Sequence, residues 1–549
     1  MARLDRLGRA KDVAQIASVF GRQFTYTLLQ ELTGANDDDL RAALNRLHES
    51  GIIFEAGSDD ESSFSFNHSL VQEAAYESLP RSRRQSLHKQ IATLLEARCS
   101  ETSEIEPTLV AHHHSRAGNA EKSLHFWLLA ADRSGQRLAF TETMASLDAA
   151  LAEAERIPDL KLRAHLKLET QLKLGTTLAI HKGPQTNEAA SALEMARMLA
   201  EEANAGPQLF QATWGLYLNA ARNQRLDRAK VIGQELLTIS EKIGDEDLKY
   251  EALHHRWGYA YFIGHVPEML GYSTEGGERY DRDRHHKFSH VFGGHDPGVC
   301  AYCVQAIALG LAGRPNSLRL ALDAGLALTS SLQHPLTEAF FFTTACSALS
   351  IVQDSERCRE FAERSVQVSA KYEFPATQAV GSFMLGTARA LQGEVASALK
   401  QMEPFFEATL AYGFLGMRPG IIMADTLASG GRNEEALALI TRLLDETSTP
   451  EAGVFVSELW RIRGELVLRQ SAANLRKAEQ YLETSLRIAD QQGAPVFRLR
   501  AAIPLAQLLA ENGRREEAKV VIDRVGALSL TEWDGTEIAS VARLRSNLS

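Results

Sequence analysis

The hexapeptide pattern Gly-x-x-x-x-Ala constrains this chain more than any other feature. It occurs as Gly393…Ala398, Gly431…Ala436 and Gly513…Ala518, and with substitutions as Gly313…Leu318, Gln353…Cys358 and Ala473…Ala478. Successive starts are 40, 40, 38, 42 and 40 residues apart. A fixed period of that size is the signature of a solenoid of stacked helix pairs, in which each pair buries its apolar face only against its neighbours. The small residue five places after the glycine is expected where the two helices of a pair cross closely.

With 549 residues the chain has room for a long array plus a cap. Aromatic residues make up only 7%, and Ala and Leu dominate, which favours packed helices over sheets. The net charge of −11 argues against a general nucleic-acid surface and against binding anionic membranes. Five cysteines, Cys99, Cys300, Cys303, Cys346 and Cys358, read as reduced thiols of a cytoplasmic protein. No signal-peptide core is present, and no run approaches the ~18 apolar residues of a membrane span.

Residues 1–67 read as a winged-helix domain. Residues 1–10 look like the tail of an upstream helix. Helices follow over Asp12–Phe20 and Thr25–Leu32, closed by Gly21 and Gly34, and a third opens at the N-cap Asn36. Ile52–Glu55 and Ser63–Asn67 are strand-like around a polar turn at Gly57–Glu61. A winged helix places its third helix in the DNA major groove. Here that helix begins Asn36-Asp-Asp-Asp, with only Arg41 and Arg46 as basic residues, so a regulatory winged helix is favoured over a DNA reader. Residues 68–98 form connecting helices on either side of Pro80, with Leu70, Val71, Ala74, Ala75 and Leu79 expected inward. Arg81, Arg83 and Arg84 read as a solvated first turn.

Helical repeats occupy residues 99–549, regular at about 40 residues from 313 and irregular before it. Earlier units start near 142, 185, 224 and 264, and the step from 264 to 313 is 49, about nine residues over the period. Pro335, Pro375 and Pro495 are placed to begin helices without losing a needed hydrogen bond. The fold class is therefore all-α: a tetratricopeptide-like right-handed α-solenoid with a small N-terminal winged-helix domain.

Chemistry-bearing motifs are sparse. The phosphate-binding Gly-x-x-x-x-Gly-Lys-Ser/Thr is absent, as are Gly-x-Gly-x-x-Gly, His-Glu-x-x-His and Gly-x-Ser-x-Gly, and no catalytic or cofactor-binding residue is assigned. The inserted stretch is richest in polar groups. Cys300 and Cys303, with His290 and His295 nearby, could complete a zinc tetrahedron. Against that, the Cys-x-x-Cys is single and runs into an apolar helix, where both thiols would pack as small hydrophobes, and no metal is assigned. His112, His113 and His114 are adjacent on a helix and point in different directions, which prevents joint chelation.

Several stretches in order resemble one architecture: Met1–Leu7, Val13–Phe24, Phe64-Ser-Phe66-Asn-His68 continuing through Glu73 to Tyr76, His112-His113 with Gly118–Leu124, and Gly294-His295-Asp296-Pro297-Gly298. The chain resembles the C-terminal region of bacterial class III adenylate/guanylate cyclase homologues that carry an AAA-type signal-transducing ATPase module and a tetratricopeptide tail. The resemblance implies a non-catalytic regulatory and protein-interaction module of a cyclase- or ATPase-linked signalling protein. Its partners would be a protein or peptide on the concave repeat surface and an upstream ATPase or cyclase module. No cyclase or P-loop residue is matched, so the chain is expected to be a truncated product, a late-start gene model or a stand-alone remnant. The alternatives are a transcription regulator of the ATPase–repeat type and a zinc-dependent protein. No role follows for Phe64, Phe66, His68, Glu73, Tyr76, His112, His113 or residues Gly294 to Gly298.

Overall fold

The computed structural model describes residues 7–55, 63–101, 106–413, 417–446, 453–471, 474–526, 532–533 and 535–548. The expected helix tail before residue 7, the turn at Gly57–Glu61, the side chain of Cys99 and the repeat start at Ala473 lie outside the described residues. Two compact units divide the chain, Met1–Thr177 and Leu178–Ser549.

The first unit begins with helices Arg9–Ser18, Tyr26–Thr33 and Asp37–Glu49 and a three-stranded antiparallel sheet. The strands are β1 (Gln23–Thr25), β2 (Ile53–Glu55) and β3 (Ser63–Phe66), in the order β1-β3-β2. Phe24 pairs with Phe64 and Ile53 with Phe66. Thr25 caps the second helix, and Asn36 caps the third by accepting from Asp39 N. Ala14, Ala17, Leu29, Leu44, Leu47 and Phe66 close the core of this part. Helices Ser69–Glu77, Arg81–Glu101, Pro107–Ala117, Ala120–Gln136 and Phe140–Ala154 follow, then Leu160–His181, in which the division between the units falls. One inward expectation fails. Leu70 is 75% exposed, because it sits in the first turn of its helix, where the face closing on the core is carried by Val71, Ala75 and Leu79.

The second unit is a solenoid of antiparallel helix pairs, and its turns show the repeat more sharply than the sequence does. Residues in the left-handed region fall at 204, 224, 244 and 264, then at 313, 333, 353, 373, 393 and 413, each run stepping by 20. One set joins the two helices of a pair and the other joins one pair to the next, so the 40-residue period is two equal half-beats. Where glycine is missing, Asn204, Gln224, Gln333, Gln353 and Glu373 hold the same conformation. A side chain there costs on the order of 1 kcal/mol, and the packing of both flanking helices enforces it. The residue five places on is fully buried at Ala229, Leu318, Cys358, Ala398, Ala436, Ala478 and Ala518. Pro297, Pro315, Pro335, Pro375 and Pro495 each open a helix.

The gap between 264 and 313 is a real insertion. Helix Val266–Arg279 is followed by seventeen residues, 280–296, before helix Pro297–Leu311, whereas two residues separate Leu332 from Pro335. Within the unit, distant repeats touch. Arg222 donates to Tyr412 O at 2.9 Å, and Arg500 to Ile351 O at 3.0 Å. Gly264 lies so close to another repeat that a Cβ on it would meet Val454 Cα at 2.8 Å.

Candidate functional site

A groove of about 590 Å³ opens among the C-terminal repeats of the second unit. Much of its lining comes from the first helix of successive pairs. Pro335–Ile351 supplies Ser350, Arg418–Ser429 supplies Arg418 and Asp425, and Val456–Gln470 supplies Glu458, Arg461 and Glu465. Arg500 comes from Pro495–Glu511, and Glu537 from the final helix Thr536–Leu548. The period places them there: Arg418 and Glu458 are 40 residues apart, as are Asp425 and Glu465.

Glu458 is the centre of this network. It is 1% exposed. Arg461 donates to both its oxygens, at 2.9 and 3.1 Å, and Arg500 Nη1 lies 3.8 Å from it. Burial acts to raise its carboxyl, but Arg461 and Arg500 more than offset that and hold it below the usual carboxylate range. Arg461 also bonds Glu465 at 2.8 Å, and Arg500 bonds Glu537 at 2.9 Å.

Arg418 is different. It is 5% exposed, and its Nε donates to Ser350 Oγ at 3.1 Å. Among the described residues no carboxylate comes within ion-pair distance of its guanidinium. Burial, and then the charge of Arg500, lower its pKa to about 10, so it is a cation at neutral pH. It lies over the Phe455 ring at 5.6 Å, and Glu458 and Asp425 act on it from beyond ion-pair distance, so this buried cation on the wall of an open groove has room for an incoming carboxylate.

The insertion is by contrast filled with side chains. Asp296 is fully buried and holds it together. Its Oδ1 accepts from Gly298 N and Val299 N at 2.9 and 3.1 Å, capping helix Pro297–Leu311. Its Oδ2 accepts from Tyr280 OH at 2.8 Å and faces His286 Nδ1 at 2.9 Å, and its own N–H donates to Thr337 Oγ1. Gly294 has φ +78°, and at Gly298 a Cβ would lie 2.5 Å from the Tyr280 ring. Pro297 is the first helical residue. The Gly294–Gly298 stretch is thus a helix-capping knot that ties the insertion to the next repeat. His295 stacks on Phe340 at 3.9 Å between ring centroids.

The four sequence candidates for metal binding do not converge. Cys303 and His290 stay outside any common group: Cys303 is buried one turn along the helix from Cys300, and His290 lies against His334. The structure instead groups His295 and Cys300 with His254, which sequence inspection missed. Nothing local to His254 marks it, since it sits in a repeat helix 41 residues before His295.

In the first unit the motif residues serve packing. Phe66 is buried, and Phe64 stacks on Phe24 at 5.8 Å. His68 and Glu73 are exposed at the start of their helix. Tyr76 OH bonds His88 Nε2 at 3.0 Å, and His88 Nδ1 meets His113 Nδ1 at 2.9 Å, while His112 turns away edge-on to Trp127. Burial, with Arg116 and Arg84, lowers His88 to about 4; burial and the neighbouring histidines lower His113 to about 3. Histidines in the unfolded chain titrate near 6.5, so it takes up these protons first as pH falls. Stability from this pair is complete above about pH 6.5 and is lost toward pH 4. A loss of about 3 kcal/mol from this unit between about pH 7 and pH 5 is expected, read by hydrogen exchange of helices Arg81–Glu101 and Pro107–Ala117. Protection unchanged over that range would contradict it.

On the third helix Asp37 to Asp39 face solvent, and Arg41 Nε is bound to Asp37 at 2.8 Å. That arrangement offers no basic surface to phosphate. Among the described residues, no helix is long and apolar enough to cross a membrane.

No family model matches the chain. It is 25% identical over 524 residues to an uncharacterized protein of Rhizobium meliloti (strain 1021), covering 93% of this chain and 50% of that protein. The chain thus spans about half the length of that curated relative. Among solved structures it is similar to a Signal Transduction ATPase with Numerous Domains, with a tetratricopeptide repeat sensor, from Pyrococcus horikoshii. That match has 13% identity and a TM-score of 0.29, and covers 98% of this chain and 65% of the other. It is also similar to yeast Tom70 (12%, TM-score 0.32, 85% and 96% covered) and to the Cut9–Hcn1 hetero-tetramer of the APC/C (14%, TM-score 0.44, 87% and 91% covered).

Proposed function

We propose that this chain is a non-catalytic regulatory module that binds a segment of a partner protein in the groove of its C-terminal repeats. The observation that carries the reading is Arg418, a buried cation with no carboxylate partner among the described residues on the wall of a 590 Å³ opening. The ligand that suits it is an extended peptide that presents one carboxylate to Arg418 and hydrogen-bonds with the flanking Asp425 and Glu465. Charge-assisted hydrogen bonds to a planar guanidinium supply both strength and direction.

The wider context rests on the motif resemblance and on a relative about twice as long. In that reading residues 7–67 form a winged helix between the repeat array and an ATPase or cyclase module. Occupation of the groove would shift that module between two arrangements. The acidic third helix speaks against the alternative of a DNA-reading regulator.

A random peptide library panned on the purified chain tests the binding reading. Peptides sharing one acidic position are expected, and Arg418→Met should weaken them about tenfold or more, since a hydrogen bond to a charged group contributes ~1.5–3 kcal/mol. Equal binding by the Arg418→Met chain would refute the site. Tight ATP binding or cyclic-nucleotide synthesis by the chain alone would refute the non-catalytic reading.

A further inference from the structure

We propose that His254, His295 and Cys300 form a buried zinc site that fastens the insertion to the repeat array. The three residues come from three segments: helix Glu246–Ile263, the Gly-Gly-His-Asp loop, and helix Pro297–Leu311. One ligand atom from each lies within 4.8 Å of the others, and all three residues are buried. Both imidazoles are oriented for the task. His254 Nδ1 is 2.9 Å from Glu251 Oε2, and His295 Nδ1 is 3.0 Å from Gly293 O. A backbone carbonyl only accepts, so His295 Nδ1 carries the proton and its Nε2 holds the lone pair a metal needs; His254 Nδ1 shares a proton with the Glu251 carboxyl, and zinc on its Nε2 requires that proton on Nδ1. A histidine ligand oriented by a carboxylate or a backbone carbonyl is the usual outer arrangement of zinc sites.

A second observation points to a ligand beside His254. Glu251 is fully buried, and its other oxygen, Oε1, has no hydrogen-bond partner. Burial, and then the fully buried Asp296 nearby, hold the Glu251 carboxyl well above the usual carboxylate range. On binding, the ion replaces two protons that leave to solvent: the Cys300 thiol gives up one and binds as thiolate, and the Glu251–His254 pair gives up the other, leaving the Glu251 carboxylate accepting from His254 Nδ1–H.

The donor set selects the metal. Two nitrogens and one sulfur suit zinc, whereas magnesium and calcium require oxygen ligands. Trp257 stacks on His254 at 4.8 Å and Phe340 on His295 at 3.9 Å, a shell that suits a structural ion. Cys303 is one helical turn away and outside the group, so the Cys-x-x-Cys is not the chelating unit.

The test measures metal in the full chain purified from zinc-supplemented cells, and again after exchange with cobalt. One zinc per chain is expected, with a thiolate-to-cobalt charge-transfer band and tetrahedral visible bands in the cobalt form. Cys300→Ala and His254→Asn should each weaken zinc at least about tenfold, the scale of losing a ligand or its support. Cys303→Ala should retain it. Should Cys300→Ala fail to fold, the cobalt spectrum of the unaltered chain decides by itself. A chain that takes up neither metal, or one whose zinc survives both ligand substitutions, would overturn the site and leave only adventitious binding.

Discussion

Glu458→Ala is expected to destabilise the C-terminal unit by about 3–5 kcal/mol, the cost of removing one partner from a buried charge network. The loss is not the absent side chain itself. Arg461 and Arg500 would remain, each 12% exposed, with the oxygens that Glu458 supplied to them gone. Arg418 lies beside them in the same groove, so three guanidinium groups would share the site with less compensation. Urea unfolding followed by tryptophan fluorescence would show it, since Trp214, Trp257, Trp460 and Trp533 all lie in this unit. The double variant Glu458→Ala/Arg461→Met should recover part of the loss, because it removes one of the stranded charges. A single-variant cost below about 1 kcal/mol would mean that water reaches the network and screens it, as for a surface pair.

Asp296→Ala is expected to cost about 1.5–5 kcal/mol, the helix cap on Gly298 N and Val299 N contributing ~0.5–2 and the orphaned buried Tyr280 OH ~1–3. The donors are Gly298 N, Val299 N and Tyr280 OH. Because Asp296 is fully buried, water does not replace it readily. Asp296→Asn keeps one acceptor oxygen and should cost less, which separates the hydrogen bonds from the space the side chain fills. Hydrogen exchange in helix Pro297–Leu311 localises the effect. If exchange there stays slow while distant helices loosen, the knot is not what holds the insertion.

Much of the fold was legible before any coordinates. The 40-residue phase of Gly393, Gly431 and Gly513 marks one of the two turns in every pair, because glycine is the cheapest residue in a left-handed turn. The caps Thr25 and Asn36 and the helix-opening prolines act over a few residues, and so does their sequence signal. The nine-residue excess before Gly313 located the insertion. Strand β1 went unread because three residues, Gln23 to Thr25, carry no periodicity and gain their identity from pairing with residues 63–65. Leu70 was misplaced because helical spacing does not say which end of a face is covered.

The sites were less legible, for a physical reason. Arg418, Glu458, Arg461 and Arg500 look in the sequence like ordinary charges on helix faces. Only stacking one pair on the next brings them into one groove, and only counting partners shows that Arg418 lacks a carboxylate. His254 meets His295 and Cys300 because the insertion folds back across the pair before it. By itself the sequence determined the repeat, its turns and its interruption, since these follow from backbone preferences and helical spacing. Which polar groups share a dry space, and which charge is left without a partner, was decided by the tertiary structure alone, because burial and pairing depend on how far the helices stack and not on the residues beside them in the chain.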